Sequence, residues 1–307
     1  MKKGSKKKRM SGMNRTLLLL SLPAIVCMLL FNYIPFIGNI VAFKRYNYVD
    51  GIFGSPWVGL DNFKAIFQLD TVPQLALKTI AYRMGWVILI NIGFAIIIAL
   101  FLYEVQNKKA NKLFQSCTIL PNFITFSAIS YILFTLLSHE NGILNSILTS
   151  LGMKEIMWYN EPKYWPLILT LVEMWKMGGM AALYFYSVLL NIDPGLYEAA
   201  AMDGAGKFRQ MWHISLPEMK PMIITILLLN IGSIFGLGWT AFYSLTLDSK
   251  ALYPTTDILS TYLYRGLRGN DIGFTTAINL CQSVIGLILL LVSDALVKKH
   301  DKQQGIL

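Results

Sequence analysis

Residues 193–217, with the sequence DPGLYEAAAMDGAGKFRQMWHISLP, form a polar stretch between two long apolar segments of the chain. Asp193 can cap a helix whose first position is Pro194, because its carboxylate can accept hydrogen bonds from amides of the first turn. The alanine-rich sequence that follows is typical of a helix. We therefore expect a short helix over 196–202.

Two glycines follow this expected helix. Gly204 and Gly206 permit a tight turn, since glycine adopts backbone conformations that other residues avoid. A second short helix should begin at Lys207 and end before Pro217, because the residue before a proline disfavours the helical region. The pattern therefore predicts two short helices joined by a glycine turn.

The side chains of this stretch suit contact with another protein. Small alanines let a second surface approach closely, and Glu198 and Asp203 offer carboxylates to a basic partner. Stiff helices on either side of a soft turn would act as a lever pressed into a groove of a cytoplasmic protein. An ordinary polar loop is the alternative that the residues alone leave open.

The composition of the whole chain disfavours most soluble proteins. The 307 residues are 55% hydrophobic and only 14% charged, with a mean hydropathy of +0.51. Soluble domains usually carry about 25% charged residues. The three cysteines lie in apolar segments without a CxxC pair, so neither a zinc site nor a disulfide framework is expected. A disordered chain and a collagen-like fibre are also disfavoured.

Six segments are apolar enough to cross a membrane, for which about 20 residues are needed. They are 16–43, 84–103, 113–138, 164–192, 221–247 and 272–293. Only the fourth contains charged residues, Glu173 and Lys176. The first is much longer than a signal-peptide core and no small-residue cleavage site follows it, so we interpret it as a retained span. The sequence therefore predicts an all-α membrane protein with six transmembrane helices.

Basic residues indicate the orientation, since loops rich in Lys and Arg remain in the cytoplasm. With the N-terminus inside, the cytoplasmic segments hold 16 of the 27 Lys and Arg residues, and the outer segments hold nine. The cytoplasmic segments are 1–15, 104–112, 193–220 and 294–307. The prediction is a basic segment over 1–15, a six-span domain over 16–298 and a tail over 299–307, with both termini cytoplasmic. This distribution accounts for the net charge of +10 without a nucleic-acid partner.

Several polar side chains within the apolar segments are candidates for a transport path. Glu173 and Lys176 lie three residues apart, so they can pair on one helix face, either beside a watery path or as a structural pair. Asn230, Asn279 and Gln282 could hydrogen-bond to a hydroxyl-rich solute such as a sugar. Hydrogen bonding between helices is the alternative for these amides.

The polar stretch resembles the signature of permease subunits in binding-protein-dependent ABC importers. In that signature Glu-Ala-Ala is followed after three residues by Gly and, nine residues later, by Ile-x-Leu-Pro. The matching positions are Glu198, Ala199, Ala200, Gly204, Ile214, Leu216 and Pro217. Other motifs, among them Gly54-Ser-Pro-Trp-Val-Gly-Leu-Asp-Asn-Phe and Leu120-Pro-Asn-Phe-Ile-Thr, resemble the carbohydrate-uptake branch and, within it, the LplB-type permeases.

The resemblance implies the type I architecture of ABC importer permeases, in which the loop 193–220 is a coupling helix that docks on a separate ATPase. The docking residues would be Glu198, Ala199, Ala200, Asp203, Gly204 and Ala205, and the anchoring residues Ile214, Leu216 and Pro217. The implied partners are a second permease in a heterodimer, two ATPase subunits, an external binding protein and an oligosaccharide. The implied location is the lipid bilayer of a bacterial cell membrane, and ATP and Mg²⁺ would bind to the ATPases, with no cofactor on this chain.

The chain shows no pattern of its own for catalysis. Gly206 and Lys207 are followed by Phe208 and lack the spacing of a phosphate-binding loop, so ATP must bind to another chain. Neither a nucleophile–base set nor a cluster of metal ligands emerges from the spacing of the residues. The alternatives are a permease for another solute, such as a peptide or amino acid, and a polytopic membrane sensor or enzyme.

Overall fold

The computed structural model describes residues 12–140, 142–236, 238–269 and 271–300. Within these ranges the chain folds into helices joined by loops, with an isolated extended bridge between Lys44 and Trp57. The predicted all-α fold is confirmed. Most of the predicted basic segment 1–15 and of the tail 299–307 lies outside the described residues.

Helices of very different length follow one another along the chain. The longer ones are Gly12–Met28, Thr71–Trp86, Ala95–Glu104, Lys108–Ile119, Phe126–Leu137, Trp165–Leu189, Lys220–Gly232, Leu259–Arg268 and Ile272–His300. Shorter ones are Gly51–Gly54, Asp61–Gln68, Ile143–Ser150, Pro194–Met202, Lys207–Gln210, Trp239–Leu245 and Tyr253–Thr256. Turns of π-helix at Leu29–Tyr33, Val87–Phe94 and Met211–Ser215 join successive α-helices into longer rods.

Four continuous helical stretches are long and apolar enough to cross a membrane. They are Leu19–Phe43, Thr71–Glu104, Pro162–Leu189 and Ile272–Lys299. Two further stretches are bent: Lys108–Phe123 meets Phe126–Leu137 at 93°, and Lys207–Glu218 meets Lys220–Gly232 at 50°. The described chain therefore has six spans only if each bent pair counts as one, and the predicted third and fifth spans are not single helices.

The second span begins earlier than predicted, because residues 71–83 are already helical and continue into the apolar segment. Lys78 in this part donates to the carbonyl oxygen of Tyr253 at 3.3 Å. Arg83 donates to Ser233 Oγ at 3.0 Å. Counting charges along the sequence places the start of the span after these residues. Their hydrogen bonds to distant residues allow the helix to begin before them.

The predicted fifth span, 221–247, is divided into two helices. The first ends at Gly232, and Trp239–Leu245 begins directly after Gly238. Glycine has a low helix propensity, so this glycine-containing connection is a favourable place for a break. The second helix buries Phe242 in an apolar cluster, which is why the end of the segment turns into the protein.

The chain divides into two compact units, which are Met1–Ile66 with Asn270–Leu280 and Phe67–Gly269 with Cys281–Leu307. In the first unit, Lys44 is only 7% exposed. Its Nζ donates to the carbonyl oxygens of Ile52 at 2.9 Å and Phe53 at 2.8 Å. Asn62 Nδ2 donates to the carbonyl oxygen of Ala42 at 2.8 Å. Main-chain carbonyls are thus satisfied by side chains in this loop-rich unit.

The second unit has two apolar clusters, and the helix Trp165–Leu189 contributes to both. The cluster at its start includes Trp86, Ile90, Leu133, Trp165, Leu169 and Phe242. The cluster at its end includes Ala95, Ala99, Ala182, Phe185, Leu189 and Met219. Gly179 lets this helix approach a neighbour closely, since a Cβ there would overlap the carbonyl group of Thr118. The second unit therefore packs around this helix.

An ion-pair network stabilises the segment after the helix Trp239–Leu245. Arg265 Nη2 donates to both carboxylate oxygens of Asp257, at 2.6 and 2.7 Å, and Arg265 Nη1 donates to Asp248 at 3.3 Å. The Tyr253 hydroxyl donates to Asp248 at 2.9 Å, and burial together with this bond raises the pKa of Tyr253 to about 12. Asp248 has φ = 51°, a strained left-handed conformation that these bonds hold in place.

Replacing Arg265 by glutamine should lower the free energy of unfolding in detergent by about 2 kcal/mol, because Asp257 loses the cation that both its oxygens bind. Arg268→Gln, which alters an exposed arginine of the same helix, is the matched control and should lose less than half as much. Thermal unfolding of the two variants measures the difference. Equal losses would show that the network has no special stabilising role.

Candidate functional site

The loop 193–220 begins with the predicted helix. The helix covers Pro194–Met202, and the side chain of Asp193 accepts a hydrogen bond from the amide of Gly195 at 3.0 Å. The predicted cap and the proline in the first turn are both present. The helix starts two residues earlier than predicted, because its cap directly precedes the proline.

The glycine turn after this helix is a Schellman motif, in which two amides beyond the helix end bond back to its last carbonyls. The amide of Gly204 donates to Ala201 at 3.0 Å, and the amide of Ala205 donates to Ala200 at 2.9 Å. Gly204 has φ = +78°, so a side chain there would be strained even though the surrounding space is open. Gly206 has φ = −68°, which any residue can adopt.

The second half of the loop is one helical stretch, Lys207–Glu218, so the prediction that it would end before Pro217 is wrong. A π-helical turn, Met211–Ser215, precedes the proline. This wider turn shifts the partners of the backbone hydrogen bonds, so the missing N–H of Pro217 does not stop the helix. The chain bends only after Glu218.

The base of the loop is packed onto the protein. Ile214 and Leu216, two of the predicted anchors, pack against the apolar cluster that contains Phe185 and the fully buried Met219. Pro217, the third predicted anchor, is exposed. Packing of the two aliphatic side chains therefore joins the loop to the end of the long helix.

Hydrogen bonds connect the two halves of the loop. The Tyr197 hydroxyl lies 2.9 Å from Ser215 Oγ, and Ser215 is only 1% exposed. Gln210 Nε2 donates to the carbonyl oxygen of Ala205 at 3.0 Å. These side-chain bonds hold the glycine turn between the two helices, so the loop moves as one piece.

The tip of the loop exposes both charged and apolar side chains. Of the predicted docking residues, Glu198, Ala199, Asp203 and Gly204 are exposed and Ala200 and Ala205 are half-buried. Met202 is 87% exposed, Phe208 79% and Trp212 60%. The sequence analysis did not single out these three, although large apolar residues within a polar loop are the signal that could have identified them. All three are exposed apolar side chains of the loop.

A cavity of about 550 Å³ with a mixed polar and apolar lining lies among the spans of the second unit, and we call it the span cavity. It is lined by Glu173 and Asn230, two of the predicted path residues, together with Arg83, Asn91, Asn122, Tyr184 and Thr225. The sequence analysis missed Asn91 and Asn122, which are single amides in apolar segments. That is the same signal that identified Asn230.

Two charged side chains of the span cavity have incomplete hydrogen bonding. Arg83 Nε and Glu173 Oε2 are buried and have no hydrogen-bond partner in the described protein. Asn230 Nδ2 donates to the carbonyl oxygen of Ile226 on its own helix at 2.7 Å. A buried polar atom left unpaired costs about 1–3 kcal/mol, so these two atoms are unfavourable for the stability of the described protein.

Lys176 has partners other than Glu173. It is 5% exposed, and its Nζ donates to the carbonyl oxygens of Asn122 and Ile124, each at 2.6 Å. The ammonium also lies 5.1 Å from the centre of the Phe126 ring. These carbonyls lie at the 93° break of the third span, where the interrupted helix leaves acceptors unpaired. Among the described residues Lys176 and Glu173 form no ion pair within 4 Å, so their pairing stays a prediction, and the hydrogen bonds of Lys176 go to the break.

The remaining path candidates lie on the helix Ile272–His300. Asn279 is exposed on this helix. Gln282 is half-buried, and its Nε2 atom is buried without a hydrogen-bond partner in the described protein. Neither Gln282 nor Lys176 lines the span cavity.

Long apolar helices, an exposed polar loop and a cavity lined in part by polar side chains are compatible with a membrane transport subunit. Residues 91–304 match the family described as binding-protein-dependent transport system inner membrane component. The chain belongs to this family, and it is a membrane-embedded, multi-pass protein.

Relatives specify the branch of the family. Protein LplB of Bacillus subtilis (strain 168) is 32% identical over 294 residues, which cover 95% of this chain and 91% of that protein. The polygalacturonan/rhamnogalacturonan transport system permease protein YteP of the same organism is 34% identical over 289 residues, covering 94% and 89%. A crystal structure of a bacterial alginate ABC transporter, in complex with an alginate pentasaccharide-bound periplasmic protein, gives a TM-score of 0.83 at 28% identity, covering 96% of this chain and 97% of the matched one. The predicted likeness to carbohydrate-uptake permeases is confirmed.

Lys176→Met should lower the free energy of unfolding by about 3 kcal/mol, because it leaves two partly buried carbonyl oxygens without a donor. Glu173→Gln should change stability by less than about 1 kcal/mol, since the Oε2 atom has no partner to lose. The double variant should be as unstable as Lys176→Met alone. Thermal unfolding in detergent measures all three, and recovery of stability in the double variant would instead indicate a Glu173–Lys176 ion pair.

Proposed function

We propose that the chain is a non-catalytic permease subunit of an ATP-driven importer that takes up oligosaccharides delivered by an external binding protein. The loop 193–220 carries the proposal, because its base packs into the apolar core and its tip is exposed. The names of the relatives support the substrate class, since YteP is a permease for polygalacturonan and rhamnogalacturonan. The superposed alginate transporter was solved with a pentasaccharide on its periplasmic protein.

In this proposal the tip of the loop docks on an ATPase subunit. Met202 and Phe208 would enter an apolar groove, because exposed apolar side chains are stabilised when a partner removes them from water. Glu198 would pair with a basic group at the edge of the groove. The ATPase binds ATP and Mg²⁺, and closure of two ATPase subunits moves the loop and the spans to which it is anchored. The helix Trp165–Leu189 transmits this motion.

The span cavity would form part of the sugar path. Arg83 can donate to sugar hydroxyls and Glu173 can accept from them, and both side chains line the cavity. Asn91, Asn122 and Asn230 add amide groups that hydroxyl-rich solutes can bind. Lys176 supports the wall of the path and does not line it, and Asn279 and Gln282 remain candidates for contact with a second permease subunit.

The orientation follows from the positive-inside rule together with the length of one helix. The helix Trp165–Leu189 has 25 residues and is therefore about 37 Å long, enough to place its two ends on opposite membrane surfaces. The loop 193–220 follows its end, so the loop and both termini would be cytoplasmic. A second permease, two ATPases and the external binding protein would complete the assembly.

Gly204→Val should abolish stimulation of ATP hydrolysis by the sugar-loaded binding protein, because valine cannot adopt φ = +78° without strain of about 1–2 kcal/mol and the loop would refold. Gly206→Val adds the same side chain two residues away at φ = −68° and should keep wild-type stimulation. Uptake and hydrolysis are measured in liposomes containing the complete complex. Normal coupling in Gly204→Val would contradict the proposal.

Cysteine labelling should place the loop and the segment before the long helix on opposite sides. Cys27, Cys117 and Cys281 are replaced first, and Lys207→Cys and Lys154→Cys are compared. A membrane-impermeant maleimide added to intact cells should label position 154 and leave position 207 unlabelled until the cells are opened. Labelling of both positions from outside would overturn the orientation.

A further inference from the structure

The first span ends at Phe43, and the depth of this residue in the membrane follows from the length of the span. The apolar helical stretch Leu19–Phe43 has 25 residues, whereas about 20 are enough to cross the hydrocarbon core. Phe43 therefore lies at the boundary between the hydrocarbon and the lipid headgroups. Any part of the chain that packs on Phe43 is placed at the same boundary.

Two aromatic rings from later in the chain pack on Phe43. The Trp57 ring is stacked on it, with a centroid distance of 5.8 Å and an angle of 9° between the planes. The Phe63 ring lies 5.1 Å from it. The amide of Val58 donates to the carbonyl oxygen of Phe43 at 2.9 Å, which fixes the chain beside Trp57. Trp57 is nevertheless 61% exposed, so part of its ring faces outward at this depth.

The loop 45–58 is tied to the end of the span by side chains. Lys44 Nζ donates to the carbonyl oxygen of Phe53 at 2.8 Å. Asn62 Nδ2 donates to the carbonyl oxygen of Lys44 at 3.0 Å. Both donors bind main-chain groups close to the point where the chain leaves the span. The position of the loop is therefore set by bonds within this part of the chain.

This loop exposes large apolar side chains next to Trp57. Phe53 is 81% exposed and Leu60 is 59% exposed, and we call Phe53, Trp57 and Leu60 the boundary patch. The adjacent charges compensate each other, because Lys64 Nζ lies 3.0 Å from a carboxylate oxygen of Asp61. The patch is thus apolar, without an excess of charge from this pair that would select an anionic partner.

The surroundings of the first span indicate what covers the boundary patch. Residues 19–37 of the span are all exposed in the described chain, and lipid is the solvent for an apolar membrane helix. The patch continues this surface through the contact between Phe43 and Trp57. Tryptophan is enriched where hydrocarbon meets headgroups, because its ring is apolar and its N–H is polar. Apolar side chains at that depth leave water by entering the acyl chains.

We infer that the boundary patch is a membrane-interface anchor, which inserts Phe53, Trp57 and Leu60 among the acyl chains just below the lipid headgroups. Because the loop is bonded to the end of the span, the anchor holds the first span at a fixed depth. The inference does not depend on the proposed function or on the orientation, since it concerns only the membrane boundary at Phe43.

The fluorescence of Trp57 tests the position of the patch. The full-length chain, with the subunits that copurify with it, is placed in vesicles of phosphatidylethanolamine and phosphatidylglycerol whose acyl chains carry bromine or none. Trp57→Phe keeps an aromatic ring on Phe43, and the difference in emission from wild type is the contribution of Trp57. The anchor predicts that bromine in the acyl chains removes most of this difference and that iodide in the water leaves it.

Nitroxide labels at two neighbouring positions provide a matched comparison. Cys27, Cys117 and Cys281 are replaced first, and Leu60→Cys is compared with Asp61→Cys, whose native side chain is 66% exposed. Oxygen concentrates in the acyl region, whereas a polar nickel complex stays in water. The label at position 60 should collide more with oxygen, and the label at position 61 should collide more with the nickel complex.

A third label tests the anchoring itself. The native Cys27 lies within the first span and is exposed, so a nitroxide on it reports the depth of the span when Cys117 and Cys281 are replaced. Phe53→Ser combined with Leu60→Ser should shift the balance of its collisions with oxygen and the nickel complex. Asp61→Ser, outside the patch, is the control and should leave the balance as in wild type.

Four results would overturn the inference. Collision of the position-60 label mainly with the nickel complex, or emission of Trp57 that iodide quenches and bromine does not, would place the patch in water. Few collisions with either reagent would show that another subunit covers it. Protection from the nickel complex only after an external binding protein is added would assign the patch to docking of that protein. An unchanged depth at Cys27 in the double serine variant would show that the patch anchors nothing.

Discussion

The third span changes direction by 93°, and one buried ammonium, Lys176, binds the carbonyl oxygens that this break leaves without partners. The arm before the break contributes Asn122 to the span cavity, and the arm after it contributes Leu133 and Leu137 to an apolar cluster. The cavity and the cluster therefore depend on a bend that a continuous helix would not have. A charged side chain within the membrane has a high free-energy cost. Here the ammonium donates hydrogen bonds to main-chain carbonyl oxygens that the broken helix leaves without partners.

The helix that carries Lys176 connects the functional features of the second unit. Its first residue, Trp165, holds the preceding loop through a hydrogen bond to the carbonyl oxygen of Trp158, and Glu173 on the same helix lines the span cavity. Beyond its last turn the chain enters the loop 193–220, whose base packs on Phe185. A shift of the loop is therefore a shift of one packed helix, because protein interiors are dense and transmit displacement. This connection supports the proposed coupling of ATPase closure to movement of the path.

Side-chain hydrogen bonds and a backbone turn together fix the shape of the loop 193–220. Buried Ser215 and Gln210 hold its two halves together through hydrogen bonds, and the Schellman turn at Gly204 redirects the chain between them. The exposed Met202 and Phe208 are kept at the tip because both helix ends are tied down behind them. Burial of these exposed apolar side chains against a partner would be favourable, which agrees with the proposed docking role.

Some of these features follow from the sequence by itself. The Asp193 cap, the turn at Gly204 and the number of apolar segments depend on neighbours along the chain, and all three were predictable from residues and hydropathy. The extent and bending of the spans were not predictable in this way, because they depend on hydrogen-bond partners that are far away in sequence. Arg83 meets Ser233, 150 residues distant, and Lys176 meets Asn122, 54 residues distant. Only the tertiary structure decided where the spans break and which polar groups share a cavity, since the free energy of placing a polar group among apolar helices is set by the partners that the fold brings to it.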